Sequence, residues 1–489
     1  MKAKVVAPAV ALAAGLTVLL AGCVSAPAPK RSDEAWVPPS DAQRADDVWR
    51  DIRAQQPDLS RPLTLAEITD IALRNNPATR KAWSEARAAS AQVRQAEGYF
   101  MPTVTGVAQA NRGGVSTDAD MIRSDYLSYG PGVQVNYLIF NFGGGRQAAV
   151  EQALQTVYAA NFAFNNTLQG AVLNAQLAYH GVVGAQAAVE AATSGVTDAE
   201  TVMEAARTRL NAGLGVELDV LQAQAGLDQA RYALASAEGA LASARGLLAQ
   251  AMALPADTPI QVAAPAGELP AELPQTDMRR LTDEALAHRP DIAALRATRA
   301  ARDANVRVTG SPRWPSLYLN GSAFRNEYET YTGTTGDHQA PYSAALSLQW
   351  TLFDGFQTAS ARDAALAQAQ AAREALHQAE LAASADVWNR YQQYRTALNR
   401  HRFAAASLES AKASHGLAVD SYKAGLIGVL DVLAADTQLA QARSQLVGAR
   451  QDIFAALAQL AYATGRLESG TNPQPGTVTP SSTDKERKP

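Results

Sequence analysis

The sequence predicts a mainly α-helical chain built from two copies of one unit, with a minor β part whose strands have the pattern of a membrane β-barrel. Three observations carry this. The first is a repeat: Ala212-Gly213-Leu214 followed by Leu218-Asp219-Val220-Leu221 returns as Ala424-Gly425-Leu426 followed by Leu430-Asp431-Val432-Leu433, so that Asp219 and Asp431 stand 212 positions apart. The second is a seven-residue apolar ladder behind each copy, Leu227, Leu234, Leu241 and Leu248, then Leu439, Leu446, Ile453 and Leu460. That period belongs to helices in coiled-coil packing. The third is composition: the 489 residues are 47% hydrophobic but only 6% aromatic, because Ala supplies much of the apolar count, and Ala has the best helix propensity.

Residues 1–22 have the form of a secretory signal, with Lys2 and Lys4 ahead of an apolar run from Val5 to Leu20. A transmembrane helix is the alternative, but the run falls short of the roughly 20 residues a span requires. The chain's single cysteine lies in Leu20-Ala21-Gly22-Cys23, which resembles the lipobox of bacterial lipoproteins, where the thiol is acylated and the chain is cut before it. A lone structural Cys is the competing reading. Cleavage there leaves no free thiol for a disulfide framework or a Cys metal site. By resemblance to the usual sorting rule of such lipoproteins, Val24 in the second mature position, where an Asp would direct retention, favours the outer membrane. Residues 23–60, with Ala26-Pro27-Ala28-Pro29 and Pro38-Pro39, lack the composition of a packed core and form the tether of the lipid anchor.

The first repeat spans 61–254 and the second 279–466, separated by a Pro-rich connector at 255–278 and followed by a polar, disordered tail at 467–489. Folding begins at Leu63-Thr64-Leu65, and the helical end Ala72-Leu73-Arg74-Asn75-Asn76-Pro77 matches Ala285-Leu286-Ala287-His288-Arg289-Pro290. A helix follows from about Ala78 to Gly98, and another from Asp291 to Gly310.

The apolar period then changes to two. Val133, Val135, Tyr137 and Ile139 alternate with polar residues, as do Leu346, Leu348, Trp350 and Leu352, which is a strand signal. A weaker strand precedes each, Thr103–Ala110 and Ser316–Phe324, placing strands within 103–140 and 316–353; polar loops fill Asn111–Pro131 and Arg325–Pro341. Sixteen of the 31 aromatic residues fall within 99–142 and 314–356, an enrichment that suits the interfacial girdles of a membrane barrel. A soluble four-stranded sheet packed on helices is the alternative. Four strands cannot close a barrel alone, since the smallest membrane barrels have about eight. A spanning sheet therefore requires oligomerisation, and a trimer gives twelve strands.

Phe142-Gly143-Gly144-Gly145-Arg146 and Phe353-Asp354-Gly355-Phe356 read as strand-to-helix turns; the Lys-Ser/Thr of a phosphate loop is missing from the first. Long helices run on toward Leu210 and Lys423, about 95 Å each if unbroken at 1.5 Å per residue. Gly170, Gly181, Gly184 and Gly195 mark breaks or close crossings in the first of them. Gly213 and Gly425 end these helices at hairpin turns.

Signal, lipobox, the duplicated helix-strand-strand-helix-helix order and the Ala-Gly-Leu…Leu-Asp-Val-Leu tips together resemble the outer membrane factors, the TolC-like efflux channels, and within them the lipoprotein, NodT-type branch. The resemblance covers residues 61 to 466. It implies a homotrimer with a twelve-stranded barrel in the outer membrane, four strands per chain, continuous with a periplasmic α-helical coiled-coil tunnel. It implies as partners a periplasmic adaptor protein and an inner membrane transporter, with outer membrane lipid around the barrel. The function it implies is conduction of exported substrates. A lipid-anchored periplasmic coiled-coil scaffold without a pore is the alternative.

The remaining features fit conduction better than chemistry. A net charge of −4 gives no basic face for nucleic acid. The six histidines, His180, His288, His338, His377, His401 and His415, show no ligand spacing, and neither a G-x-S-x-G nor a Walker sequence occurs. No catalytic residue, metal or cofactor is expected. Candidate sites are Cys23 for lipid attachment, the tips Gly213, Leu214, Gly425 and Leu426 for adaptor contact, and Asp219 and Asp431 for the periplasmic aperture. At the tips the glycines also serve simply to permit positive φ. Each Asp has two readings: a first-turn helix cap, or one member of an acidic ring that threefold repetition creates. The resemblance adds that such channels close here through polar contacts including acids, although Ala434 and Ile427 stand where some relatives carry a second Asp and an Arg.

Overall fold

The computed structural model describes residues 31–33, 61–117, 122–263, 278–330 and 335–467. The signal, Cys23, most of the tether, part of the connector and the tail after Leu467 lie outside the described residues. The element order is α1 (Leu65–Asn75), α2 (Pro77–Gly98), β1 (Thr103–Thr117), β2 (Ile122–Asn141), α3 (Gly145–Asn211), α4 (Glu217–Ala251), α5 (Met278–His288), α6 (Pro290–Gly310), β3 (Ser316–Phe324), β4 (Asn326–Thr330), β5 (Thr335–Gln339), β6 (Tyr342–Gln349), α7 (Gln357–Lys423) and α8 (Val429–Ala463). The halves repeat each other closely: α3 and α7 have 67 residues each, and α4 and α8 have 35 each. Among the described residues no helix is long and apolar enough to cross a membrane.

The chain divides into two compact units, one of Glu85–Asn161 with Ala294–His377 that holds the sheet, and one of Phe162–Ala293 with its flanking segments Pro29–Ser84 and Gln378–Pro489. In the sheet unit β1 pairs with β2, β2 with β3 and β4, β3 with β6, and β4 with β5, all antiparallel. The two segments expected to be loops are therefore largely paired. Six named strands are four long ones, because register is kept across each interruption. The pairs Gly132↔Phe324 and Tyr129↔Glu327 step three residues on both strands, so β4 continues β3 past Arg325. The pairs Asn326↔Gln339 and Ala323↔Tyr342 do the same for β5 and β6. Pro131 and Pro341 mark the interruptions, since neither has an N–H to give the ladder; their carbonyls accept from Arg325 and Phe324 at 2.9 Å. At the first break a Cβ on Gly130 would lie 1.9 Å from the Arg325 carbonyl oxygen, so only glycine allows this approach.

In the helical unit, Thr64 caps α1 in a box with Glu67: each accepts from the other's backbone N–H, at 3.4 and 2.9 Å. Leu63 bridges in parallel to Val262 at the start of the connector. Around them Ile68, Ala72, Tyr179, Val182, Leu248, Met252 and Ile260 form one buried cluster. The helix α3 is unbroken through its four interior glycines. Of these, Gly184 marks a close crossing, where a Cβ would stand 2.5 Å from the Gln451 side chain.

Candidate functional site

Two features have the chemistry of a site, one in each unit. In the sheet unit the side chains of antiparallel partners share a face, so the register sorts the strands into two surfaces. One is polar and laddered. Asn136 donates to Asn320 at 2.9 Å, Asn320 donates to Ser347 at 3.2 Å, Ser322 and Ser343 share a bond of 2.9 Å, and Asn141 donates to Ser316 at 3.1 Å. The opposite surface carries Val104 and Val135, Val133 and Ala323, and Tyr137, Leu319 and Leu346, with Val104, Val133, Leu319, Leu346 and Leu348 exposed.

The alternation expected through Ile139 fails at one point. The register shifts between Leu138 and Phe140, a bulge that turns Phe140 onto the apolar face beside Leu317. Arg146, at the start of α3, holds it by donating to the carbonyls of Leu138 at 2.6 Å, Ile139 at 2.8 Å and Tyr99 at 3.3 Å while its guanidinium lies over the Phe100 ring. The Gly143–Gly145 segment is the strand-to-helix turn expected, with Gly144 at φ +66. Tyr99, Met101, Phe142, Trp314, Trp350, Phe353 and Phe356 are exposed, and all flank the same end of the four strands. Both lateral edges of the sheet, β1 on one side and β5 with β6 on the other, are unpaired among the described residues.

In the helical unit the two hairpin turns are built alike. At the end of α3 the N–H of Gly213 donates to Leu210 and that of Leu214 to Arg209, each at 2.9 Å; at the end of α7 Gly425 donates to Tyr422 and Leu426 to Ser421, each at 2.9 Å. This is the Schellman arrangement, which needs a left-handed residue, supplied by Gly213 at φ +70 and Gly425 at φ +80. Leu214 is 71% exposed and Leu426 78%, so neither serves the core of the chain.

The two aspartates differ in their surroundings. Asp431 accepts from the Gly428 N–H at 3.1 Å, capping α8. Asp219, in the first turn of α4, has a Val216 N-cap without a side-chain bond and acts on Tyr422, whose phenol is raised first by burial and then by this negative charge. Among the described residues no hydrogen bond or ion pair joins the two aspartates.

Arg209 is the residue that sequence reasoning missed. Its guanidinium donates to the carbonyl of Tyr422 at 2.5 Å and to that of Leu214 at 3.1 Å, and lies 4.9 Å from the centre of the Tyr422 ring. Tyr422 itself is 1% exposed. One cation thus joins the turn of the first repeat to that of the second. The sequence signal for it is a break in the repeat, where Arg209 and Leu210 stand opposite Ser421 and Tyr422.

The chain is similar to known proteins along most of its length. A family model described as outer membrane efflux protein matches residues 68–254 and 281–466. Protein CyaE of Bordetella pertussis is 31% identical over 440 residues, covering 89% of this chain and 88% of its own. The pyoverdine export outer membrane protein OpmQ of Pseudomonas aeruginosa is 27% identical, covering 88% and 91%. Among solved structures, the outer-membrane channel OprN superposes with a TM-score of 0.72 at 23% identity, over 85% of this chain and 95% of that one.

Proposed function

Because this chain belongs to the outer membrane efflux protein family, we propose that three copies join through their free sheet edges into a twelve-stranded barrel. Its function is that of the family, an outer membrane channel of an efflux or export system. The observation that carries the trimer is the sheet. Two unpaired edges are a liability for a soluble protein, and four alternating strands leave β1 and β6 running oppositely, so a neighbouring copy extends the antiparallel order until the ring closes. The laddered polar face then lines a wet lumen, the apolar face meets lipid, and the aromatic end forms an interfacial girdle. The helical unit supplies the periplasmic tunnel, and the repeats keep the limits 61–254 and 279–466.

At the periplasmic end, the exposed Leu214 and Leu426, presented on turns fixed by Gly213 and Gly425, are the contacts for a periplasmic adaptor that delivers substrates from an inner membrane transporter. Asp219 shapes the closed aperture together with Tyr422 and Arg209. Asp431 contributes its charge to the same opening while capping α8. Cys23 carries the lipid anchor, and intact mass of the mature amino terminus tests it: an unmodified chain beginning elsewhere removes the anchor. No catalytic chemistry is assigned to the chain.

Planar-bilayer recording tests the channel. Wild-type protein gives discrete conductance steps, and Asp219→Ala with Asp431→Ala raises single-channel conductance or lowers cation preference while the trimer persists. A protein that is trimeric and never conducts is the scaffold instead. Unchanged conductance and selectivity with lowered melting temperature leaves the aspartates as helix caps only.

A further inference from the structure

Two rows of large apolar side chains lie exposed on the helical unit, and the chain itself covers neither. Contacts put its four long helices in one order. The α4 residue Leu248 clusters with Tyr179 and Val182 of α3. The α3 residues Gly184 and Asp198 meet Gln451 and Arg443 of α8, and in α8 Asp436 stands 3.6 Å from His415 of α7 while Ile453 packs with Tyr394. Away from the turns the outer helices are therefore α4 and α7. The α3–α8 contacts run in opposite senses along the two helices, and each outer helix is the hairpin partner of one of them, so α4 and α7 also run in opposite directions.

The rows lie on these outer helices. Leu218, Tyr232 and Leu247 on α4, and Trp388, Phe403 and Leu417 on α7, are each between 52% and 71% exposed. Among the described residues α3 exposes no large apolar side chain, and α8 only Leu430 beside the turn. Scattered exposed apolar residues are ordinary, but these are regularly spaced. Four helical turns take about 14.4 residues, so steps of 14 and 15 keep a row on one side. Read away from the turns, α4 steps 14 and then 15 residues, from Leu218 to Tyr232 to Leu247. Read in the same direction, α7 also steps 14 and then 15, from Leu417 to Phe403 to Trp388. Two antiparallel helices with these rows meet rung for rung. Between the second and third rungs the same register sets Ser236 and Gly239 of α4 against Asn399 and Thr396 of α7, short side chains against longer ones. A Cβ on Gly239 would meet nothing within 4 Å beyond its own stretch of helix among the described residues, which leaves room for Thr396.

Within one chain α3 and α8 separate the two rows, so one chain cannot join them, but a second copy can. In a cyclic assembly α7 of one copy follows α4 of the next, and rotation about the common axis keeps their opposite directions. We propose that the helical units of neighbouring copies meet along a seam of α4 on α7, in the register that sets Leu218 on Leu417, Tyr232 on Phe403 and Leu247 on Trp388. This deepens the trimer reading and rests on it. The middle rung is a pair of aromatic rings, which gain from edge-to-face or offset contact beyond the area they bury.

The test combines Ser236→Cys with Gln392→Cys, Asn399→Cys or Ala406→Cys in one chain. The three α7 positions are one heptad apart and share a face, so only register distinguishes them. After oxidation of isolated membranes, Ser236→Cys with Asn399→Cys gives dimer and trimer bands several-fold stronger than the other two pairs and than each single variant. A strongest link through 392 or 406, or a link closed within one chain that runs as monomer, overturns the register. A charge swap checks the middle rung. Tyr232→Glu alone and Phe403→Lys alone each lower the trimer fraction in detergent several-fold by light scattering; the two together restore it, and Tyr232→Glu with Trp388→Lys does not. Equal recovery in both combinations overturns the pairing. A wild type that is trimeric while no pair with Ser236→Cys links means that another protein, such as the adaptor, covers the rows; the seam then fails and the trimer reading stands. A monomeric wild type refutes the trimer reading, and the seam with it.

Discussion

The helices α4 and α8 occupy the same place in the two repeats and have the same 35 residues, yet α8 buries eleven side chains and α4 buries four, Ala223, Leu227, Leu248 and Ala249. The contrast extends to charge. Arg231 and Arg443 are equivalent by the repeat, but Arg231 pairs with Glu200 at 3.6 Å in the open, whereas Arg443 reaches Asp198 of the other repeat in a poorly exposed site. Duplication copied the backbone and the heptad; the surroundings then diverged. The returning helix α8 became the more buried of the two. The other was left with Leu218, Leu221, Tyr232 and Leu247 exposed, an apolar stripe of the kind that a neighbouring copy covers.

The largest expected effect compares equivalent rungs of the two ladders. Ile453, 1% exposed, packs with Tyr394, Ala397 and Ala456, and Ile453→Ala costs about 2–5 kcal/mol. Its counterpart Leu241 is half-buried, and Leu241→Ala costs about 1–2 kcal/mol from the smaller area removed from water. Denaturation of purified protein in detergent measures both. Equal losses would mean that assembly buries α4 as deeply as the single chain buries α8, and the contrast would belong to the monomer alone.

A smaller effect separates the two arginines. Arg443→Ala leaves Asp198 and Asp436 facing each other without their cation and costs about 2 kcal/mol, below the value for a fully buried pair because the site keeps some solvent. Arg231→Ala costs less than about 1 kcal/mol, as exposed pairs do. The same melting experiment decides, and an Arg231→Ala loss as large as that of Arg443→Ala breaks the distinction.

The smallest expected effect on stability is at the turns, where function should change instead. Leu214→Asp and Leu426→Asp leave the melting temperature within about 1 °C, since substitutions at exposed sites move stability by about ±0.5 kcal/mol or less, yet both weaken co-purification with the adaptor. Undiminished capture by a folded double variant excludes the turns as its docking point.

What the sequence disclosed follows the range of the interactions. The duplication, the heptads, the alternating strands and the Gly213 and Gly425 turns depend on residues a few positions apart, so their periods are visible in the chain. The pairing of the supposed loops was hidden because it depends on register with distant partners: Pro131 and Pro341 look like loop punctuation until Arg325 and Phe324 are seen to donate to their carbonyls. The bulge at Ile139 is set by Arg146 gripping three carbonyls, which no alternation records. Arg209 was hidden for a different reason. The repeat directs attention to what the halves share, and the brace at Tyr422 lies where they differ.

The proposed barrel requires free β1 and β6 edges to meet between copies and the ring to close at three. Site-directed cross-linking tests it most directly, with Thr105→Cys on β1 and a second cysteine placed in turn at Ser343, Ala345, Ser347 or Gln349 on β6, the acylated Cys23 offering no thiol. For such a barrel, oxidation of membranes yields dimer and trimer bands for at least one pairing, the ladder stops at three, and Thr105→Cys alone forms no dimer. Monomer at every pairing, a ladder that runs past three, or β1-to-β1 dimers would contradict it.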